Sequence, residues 1–275
     1  MSGGKRLQAI AEENSGDKPL VTVVTAVYNG QPYIAGCLES VLRQDYSNIE
    51  HIVLDGGSND GTVDVLREYG DRIALWRSEP DGGVYDAWNK ALAEARGEWI
   101  CFLGADDEFL PGAISTYMEL AAKNPHAEYL SSRMKWVHPS NYQRIKGDPW
   151  RWRNLCMRTP HVGSMHRRTL FDRVGLYDTS YRVIADYELL LRGRGELSTA
   201  YSPVITVMMR AGGISSTKAF QGLDEAARAQ VLTGRRNKVL VFINLLIQKT
   251  KVTLRPLFKV LGWMKSRAGE AGTQT

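Results

Sequence analysis

The chain has 275 residues, of which 43% are hydrophobic, and its formal net charge is +5. This length can form one large α/β domain with or without an appendage, and the composition excludes a disordered or collagen-like chain. The three cysteines contain no CxxC pair, which argues against a disulfide framework or a zinc ribbon and fits a reducing cytosol.

The positive charge is concentrated near the C-terminus. Ten Lys and Arg residues and no Asp or Glu lie between Glu225 and Glu270, so subtracting ten from +5 leaves about −5 for the rest of the chain. At the other end, residues 1–18 lack the apolar segment of a secretory signal, and we expect a flexible tail there. No run of about 18 apolar residues predicts a membrane-spanning helix.

Strands and helices alternate in the pattern of the first half. β-branched and apolar runs predict the strands, whereas Ile34, Leu38, Val41 and similar spacings predict the helices. The predicted strands cover 20–29, 49–55, 72–78, 98–107 and 127–132, and the predicted helices cover 31–44, 62–70, 84–97 and 111–124. Short links between them favour an α/β fold, with a mostly parallel sheet and helices on both faces.

The pattern loosens after residue 133. Aromatic residues, prolines and arginines are frequent up to His161, which predicts irregular loops around a pocket. We expect short helices near 167–174 and 186–193, a strand near 203–209 and a helical tail from about 222.

Acidic residues follow two of the predicted strands. Asp55 closes the second strand, and Asp106 and Asp107 close the fourth. Ligands of open α/β sheets bind at the carboxyl ends of the strands, so these acids are expected at a ligand-binding edge. Paired carboxylates with substrate phosphates suit Mg²⁺ or Mn²⁺. The alternatives are an acidic cap on the next helix for Asp106 and Asp107, and an ordinary turn for Asp55.

Three segments together resemble family 2 glycosyltransferases. They are "VTAVYNG", "IVLDGGSNDGT" and "SEPDGGVYDAWNKALAEARGEWICFLGADDE", and they occur in the order and spacing of that family. The resemblance extends over about residues 20–215 and implies a GT-A fold, which has a Rossmann-like sheet that binds a nucleotide-sugar. It divides residues 19–220 into a nucleotide-sugar half (19–132) and an acceptor half (133–220), followed by a tail (221–275).

The resemblance also implies roles at the donor site. Ala26 and Tyr28 should line the nucleotide base, Asp55 should lie at the nucleotide, Asp106 near the ribose, and Asp107 should bind the metal ion. Many members carry a second acid where this chain has Gly56, and that acid often contacts uracil. The donor base is therefore left open among UDP, GDP and dTDP.

One donor-side segment resembles bacterial transferases that assemble polysaccharides. In "EPDGGVYDAWNK", Asp81, Asp86 and Lys90 are expected to contact the donor. The alternative for Asp86 and Lys90 is an exposed ion pair between residues four apart on a helix.

The acceptor half contains the expected general base. Family members have an acid at the start of a helix corresponding to "VIADYELLLR", and Asp186 matches it, with Glu188 as the competing candidate. An inverting transfer needs a base that can reach the acceptor hydroxyl. Similar family segments flank the acceptor and form a closing loop, which implies roles for His161 near the acceptor or metal and for Gly212 and Gly213 as a hinge.

The tail mixes apolar and cationic residues. Residues 235–267 suit a pair of in-plane amphipathic helices on anionic lipid, interrupted at Pro256. The alternative is packing on the domain or on a second subunit, and a homo-oligomer is left open. No processive-synthase QxxRW motif is present, so we expect transfer of single sugars.

These features predict a metal-assisted inverting glycosyltransferase of bacterial surface polysaccharide biosynthesis. Its acceptor would be a glycan or a lipid-linked glycan, and the enzyme would lie in the cytoplasm at the inner face of the inner membrane. A nucleotidyltransferase would carry a basic glycine-rich loop in place of "YNGQP". A non-catalytic scaffold would be expected to lack Asp107 or Asp186. A nucleic-acid partner is not expected, because the tail cations are interleaved with aliphatic residues.

Overall fold

A ten-stranded mixed sheet forms the centre of the computed structural model. The structure describes residues 1–5, 18–140, 142–152 and 157–271, and it describes side chains up to residue 254 except that of Ser216. The strands are β1 Ser2–Gly3, β2 Val21–Val27, β3 Ile49–Asp55, β4 Leu75–Ser78, β5 Trp99–Phe102, β6 Glu108–Phe109, β7 Tyr129–Val137, β8 Gln143–Lys146, β9 Met165–Arg167 and β10 Thr199–Arg210. The helices are α1 Gln31–Leu42, α2 Thr62–Glu68, α3 Val84–Glu94, α4 Ala113–Lys123, α5 Arg168–Val174, α6 Ala185–Arg192, α7 Ile214–Thr217, α8 Ala219–Leu232 and α9 Lys238–Ala271, and a 3₁₀ turn covers Arg194–Glu196.

The strand order is β1-β4-β3-β2-β5-β9-β7-β10-β6, with β8 paired to β7. Strands β4, β3, β2 and β5 are parallel neighbours, as are β7 and β10. Strand β9 runs antiparallel to both β5 and β7 and so joins the two parallel sets. The predicted α/β architecture is confirmed, and its parallel half is the one that carries the predicted donor residues.

Helices cover both faces of the sheet because its strands are apolar on both faces. On one face, Val24, Ile52 and Phe102 pack with α3, α5 and α6. On the other, Val23 and Cys101 pack with α1 and α4. Polar side chains buried in β2 and β3 pair with each other, as where Thr22 Oγ1 donates to Glu50 Oε1 at 2.5 Å.

The prediction of irregular loops after residue 133 was wrong in part. Strand β7 continues to Val137 and forms an antiparallel hairpin with β8. Side chains across this hairpin attract each other: the Lys146 ammonium lies 4.2 Å from the centre of the Trp136 ring. Cross-strand contacts of this kind stabilise a strand whose sequence shows little apolar alternation.

The two ends of the chain also differ from expectation. Ser2 and Gly3 pair with β4, so this stretch belongs to the sheet rather than to a flexible tail, while residues 6–17 of that prediction lie outside the described residues. The predicted interruption at Pro256 was wrong, because α9 runs through it from Lys238 to Ala271. A single proline removes one backbone donor, and a long helix can retain its flanking hydrogen bonds. Among the described residues, no helix combines the length and apolarity needed to cross a membrane.

Candidate active site

The predicted donor residues meet at the carboxyl edge of the parallel strands. The register pairs Val27 of β2 with Asp55 of β3, and Val24 of β2 with Phe102 at the end of β5. Tyr28 follows β2 directly and its side chain is 68% exposed, whereas Ala26 is half-buried in the strand. An exposed aromatic ring at this edge can stack on a base.

Asp55 organises the turn that follows β3. It is buried, and Oδ2 accepts hydrogen bonds from Gly57 N at 3.2 Å, Ser58 N at 3.0 Å and Ser78 Oγ at 2.7 Å. Oδ1 accepts another from Ser58 Oγ. The carboxylate is thus engaged by the protein itself, and its expected contact with a nucleotide stays a prediction.

A second group of donor candidates lies next to this turn. Asp55, Asp81 and Lys90 line one small cavity. Asp81 Oδ1 accepts a hydrogen bond from Gly83 N at 2.8 Å. The Lys90 ammonium lies 3.3 Å from Asp86 Oδ2 and 3.4 Å from Glu79 Oε1. Asp86 and Lys90 therefore do form the ion pair that the spacing of four residues predicts.

Asp106 and Asp107 form a short acidic loop after β5. Asp107 is buried, and its Oδ1 accepts a hydrogen bond from Arg210 N at 3.0 Å. Burial, with the nearby charge of Asp106, raises the pKa of the Asp107 carboxyl to about 8. A Cβ on Gly104 would lie 2.6 Å from Asp107 Oδ2, so a larger residue there would displace this carboxyl oxygen.

This loop has the chemistry of a divalent cation site. Two adjacent carboxyls, one of them kept from ionising by its surroundings, would gain from a positive charge placed between them. Within the described part of the chain, no cluster of three His, Cys, Asp or Glu residues is arranged as a metal site. Mg²⁺ usually takes one or two carboxylates together with substrate phosphates, so the acids present fit such an ion.

Asp186, the predicted general base, lies in the first turn of α6. The residue at the N-cap is Ile184, so Asp186 does not cap the helix. The Tyr85 hydroxyl of α3 donates a hydrogen bond to Asp186 Oδ1 over 3.4 Å. Burial raises the pKa of the Asp186 carboxyl to about 6. At neutral pH the group is ionised, yet it binds a proton more readily than an ordinary aspartate.

The competing candidate, Glu188, is engaged elsewhere. It is buried, its Oε2 accepts hydrogen bonds from Arg192 at 2.8 and 3.0 Å, and its Oε1 accepts one from Thr233 at 2.8 Å. A carboxylate held in this way is part of the structure that joins α6 to α8.

His161 belongs to a buried cluster of aromatic rings that includes Trp88 and Phe102. Its ring centre lies 5.0 Å from that of Trp88 and 5.4 Å from that of Phe102. Burial lowers the pKa of the imidazole to about 3, so the ring is neutral. His161 and Asp186 line the same cavity, and the expected approach of His161 to an acceptor stays a prediction.

Gly212 and Gly213 follow β10, in the predicted hinge. Gly212 has φ +126°, which favours glycine, and a Cβ on either residue would meet no atom within 4 Å. Arg210, two residues earlier, donates from its guanidinium to Glu108 Oε1 at 2.8 Å. This loop is therefore anchored to the acidic loop at its start and uncrowded at its glycines.

Sequence reasoning missed the contacts that hold the segment before α6. The Arg182 guanidinium donates to the carbonyl of Gly82 in the donor loop. The Glu225 carboxylate on α8 accepts hydrogen bonds from the backbone of Arg182 at 3.1 Å, Val183 at 2.9 Å and Ile184 at 3.3 Å. These donors precede the first turn of α6, so Glu225 fixes the segment that carries Asp186. Glu225 lies 39 positions after Asp186 in the sequence, and no local motif identifies it as a partner of that segment.

Comparison with known proteins places the chain in a family. Residues 22–175, more than half of the chain, match the model described as Glycosyl transferase family 2. The chain belongs to this family. A curated relative, a PGL/p-HBAD biosynthesis glycosyltransferase of Mycobacterium bovis, is 28% identical over 214 residues, which are 72% of this chain and 80% of the relative.

Solved structures show the same fold. Staphylococcus aureus TarS 1-349 in complex with UDP-GlcNAc has a TM-score of 0.63 at 17% identity, over 83% of this chain and 72% of that one. The mannosyltransferase PcManGT of Pyrobaculum calidifontis, in complex with GDP-Man and Mn²⁺, has a TM-score of 0.63 at 19% identity, over 94% of this chain and 76% of that one. The predicted family and GT-A fold are confirmed.

The contacts of Glu225 generate a stability prediction. Glu225→Ala leaves three backbone donors without their acceptor, and we expect the free energy of unfolding to fall by about 1–3 kcal/mol in urea denaturation. Asp224→Ala is the matched control. Its carboxylate is 55% exposed and 2.6 Å from Lys249 Nζ, and an exposed pair contributes only about 0–1 kcal/mol. Equal losses in both variants would contradict the role given to Glu225.

Proposed function

We propose that the chain is an inverting glycosyltransferase that moves a sugar from a nucleotide-sugar to a hydroxyl group, with Asp186 as general base. The observation that carries the proposal is the position of Asp186: a partly buried acid with a raised pKa, joined to the donor side through Tyr85. The family of the chain and the nucleotide-sugars bound by structurally similar proteins support the donor class.

The donor would bind along the carboxyl edge of β2, β3 and β5. Tyr28 would contact the base, Asp106 the ribose, and Asp81 and Lys90 the remainder of the donor. Asp107, with Asp106 beside it, would hold Mg²⁺ or Mn²⁺. When bound, such an ion supplies positive charge to the leaving nucleoside diphosphate. The base of the donor is not assigned, because similar folds are known with a UDP-sugar and with a GDP-sugar.

In the transfer, the acceptor hydroxyl loses its proton to an oxygen of Asp186. The hydroxyl oxygen forms a bond to the anomeric carbon as the bond from that carbon to the diphosphate oxygen breaks, and the electron pair leaves with the nucleoside diphosphate. Attack from the face opposite the leaving group inverts the anomeric centre. The carboxylate of Asp186 suits this step because burial raises its affinity for a proton, while the group remains ionised at pH 7.

The acceptor would be a glycan or lipid-linked glycan at the inner face of a bacterial membrane, in surface polysaccharide synthesis. The outer side of α9 supports contact with a bilayer. Its apolar side chains are about half exposed, and Lys249 and Lys251 lie among them. The exposed residues are Val239, Leu240, Phe242, Ile243, Leu246, Ile247 and Leu254. We propose that this surface, within residues 235–267, lies on anionic lipid.

The donor assignment predicts metal-dependent binding. We expect one class among UDP-, GDP- and dTDP-sugars to bind in calorimetry with Mn²⁺, and Asp107→Ala to weaken that binding at least tenfold, since one carboxylate ligand is lost. Asp45→Asn is the control, because Asp45 accepts a hydrogen bond from Ser115 on the surface. A folded wild-type protein that binds none of the donors would overturn the assignment and favour a scaffold.

The base assignment predicts a pH profile. The reactive form of Asp186 is the ionised one, so kcat/KM should fall about tenfold per pH unit below the pKa of about 6 and level off above it. Asp186→Asn should lower kcat by about 10²–10⁴-fold with donor affinity unchanged. An unaltered acid limb in that variant would show that another group accepts the proton.

The membrane proposal predicts lipid binding. We expect the wild-type protein to sediment with vesicles containing phosphatidylglycerol and not with neutral vesicles, and Phe242→Asp with Leu246→Asp to lose this binding because charges replace the exposed apolar face. Ile145→Asp on β8, at a residue 60% exposed, is the control. A wild-type protein that forms dimers and binds neither type of vesicle would refute the proposal. The exposed face of α9 would then be covered by a second copy of the chain.

A further inference from the structure

A cavity of about 450 Å³ lies next to Asp186. Its walls come from β7, β10, the segment 157–162, the first turn of α6, and the helices α8 and α9. This volume is within the range of pockets that enclose a small organic ligand, roughly 300–1,000 Å³. The cavity therefore has room for a chemical group of the acceptor, next to the acceptor hydroxyl that Asp186 would deprotonate.

The walls are mainly aliphatic. Side chains that line the cavity include Met134, Val183, Met209, Leu223, Val241 and Leu245. Helix α8 contributes small residues at Ala219, Gly222 and Ala226 to the wall. Gly222 lets this helix pack closely on the segment before α6, because a Cβ there would lie 3.1 Å from Val183 Cγ1. An apolar wall of this kind binds groups that gain from leaving water.

The charges of the lining define the ligand further. Of the described residues that line the cavity, Asp186 is the one acid, and none is Lys or Arg. His161 is a neutral imidazole there. A phosphate would meet a carboxylate and no cation. A sugar ring would find polar partners at a few side chains, among them Thr159, Gln230 and Gln248, and would face aliphatic carbon elsewhere, which costs free energy. Both are disfavoured as occupants beside the base.

The position of α9 connects the cavity with the exposed face described above. Val241, Leu245 and Gln248 face the cavity, whereas Phe242, Leu246 and Ile247 on the opposite side of the helix are exposed. One helix thus separates the apolar cavity from the surface proposed to lie on lipid.

We propose that the cavity holds an aromatic or alkyl group that the acceptor carries directly beside the hydroxyl that is glycosylated. The inference rests on the proposed function, because it takes Asp186 as the base. It keeps the reaction of the proposed function but replaces the glycan acceptor given there with a hydroxyl on, or within a few atoms of, an apolar aglycone. It disfavours a sugar hydroxyl next to a lipid pyrophosphate.

The test measures the binding of n-alkanols from butanol to octanol by calorimetry, without donor. In the wild-type protein we expect affinity to rise roughly three- to fourfold for each added methylene, because each is buried in the apolar cavity. Ala226→Trp should fill the cavity, remove this dependence on chain length and weaken octanol binding at least tenfold. Leu246→Trp, on the outer side of α9, is the matched control and should keep the dependence.

A second variant covers the case in which Ala226→Trp does not fold. Leu245 is half-buried, and Leu245→Ala enlarges the cavity. The alkanol affinity of this variant should therefore continue to rise at chain lengths where the affinity of the wild-type protein no longer increases. Affinities that do not depend on chain length in the wild-type protein, or that respond equally to Ala226→Trp and Leu246→Trp, would overturn the proposal.

Donor binding in the same samples separates the two proposals. If a nucleotide-sugar binds and its sugar is transferred to a free sugar with release of the nucleoside diphosphate, while alkanols show no chain-length dependence, the cavity assignment fails and the transferase function stands. If alkanols bind as expected and no nucleotide-sugar does, the proposed function fails and the cavity remains an apolar binding site.

Discussion

The parallel pairing of β3, β2 and β5 is the constraint on which the rest of the site depends. Its register brings the ends of three strands to one edge, with Tyr28, Asp55 and the loop that carries Asp106 and Asp107. Val23 and Val24 pack against helices on opposite faces of the sheet, and this packing on both sides holds β2 between β3 and β5 and so holds the acids at their ends. The core residues thereby determine where the polar groups meet.

Much of the fold was predictable because its signals are local. Apolar runs and closing glycines identify β2–β5 and α1–α4, and Asp55 and Asp107 follow strands in the sequence. What could not be predicted depends on distant contacts. The hairpin of β7 and β8 has little alternation, and the contacts Tyr85–Asp186 and Arg182–Gly82 join residues about 100 positions apart. Asp186 was identified by its family motif, whereas Glu225, which fixes its segment, has no motif.

Electrostatics divide the site into two unlike regions. Asp106, Asp107 and Glu108 form an acidic loop that is balanced in part by Arg210. The acceptor side is nearly uncharged, with Asp186 between neutral rings and aliphatic walls. A highly charged leaving group and an apolar acceptor would need such opposite surroundings. The Tyr85 hydroxyl of α3 links this uncharged region to the donor-side helix through its hydrogen bond to Asp186.

Helix α9 has an exposed apolar face on one side and lines the cavity next to Asp186 on the other. Because Val241 and Leu245 line one side of the cavity, a shortened chain that ends before Lys238 would lose part of the proposed acceptor cavity together with the exposed apolar face. Removal of a C-terminal amphipathic helix is a common way to make a peripheral protein easier to handle. For this chain, a truncated form that is well behaved and binds donor could still be inactive, and its inactivity would say nothing about the need for a membrane.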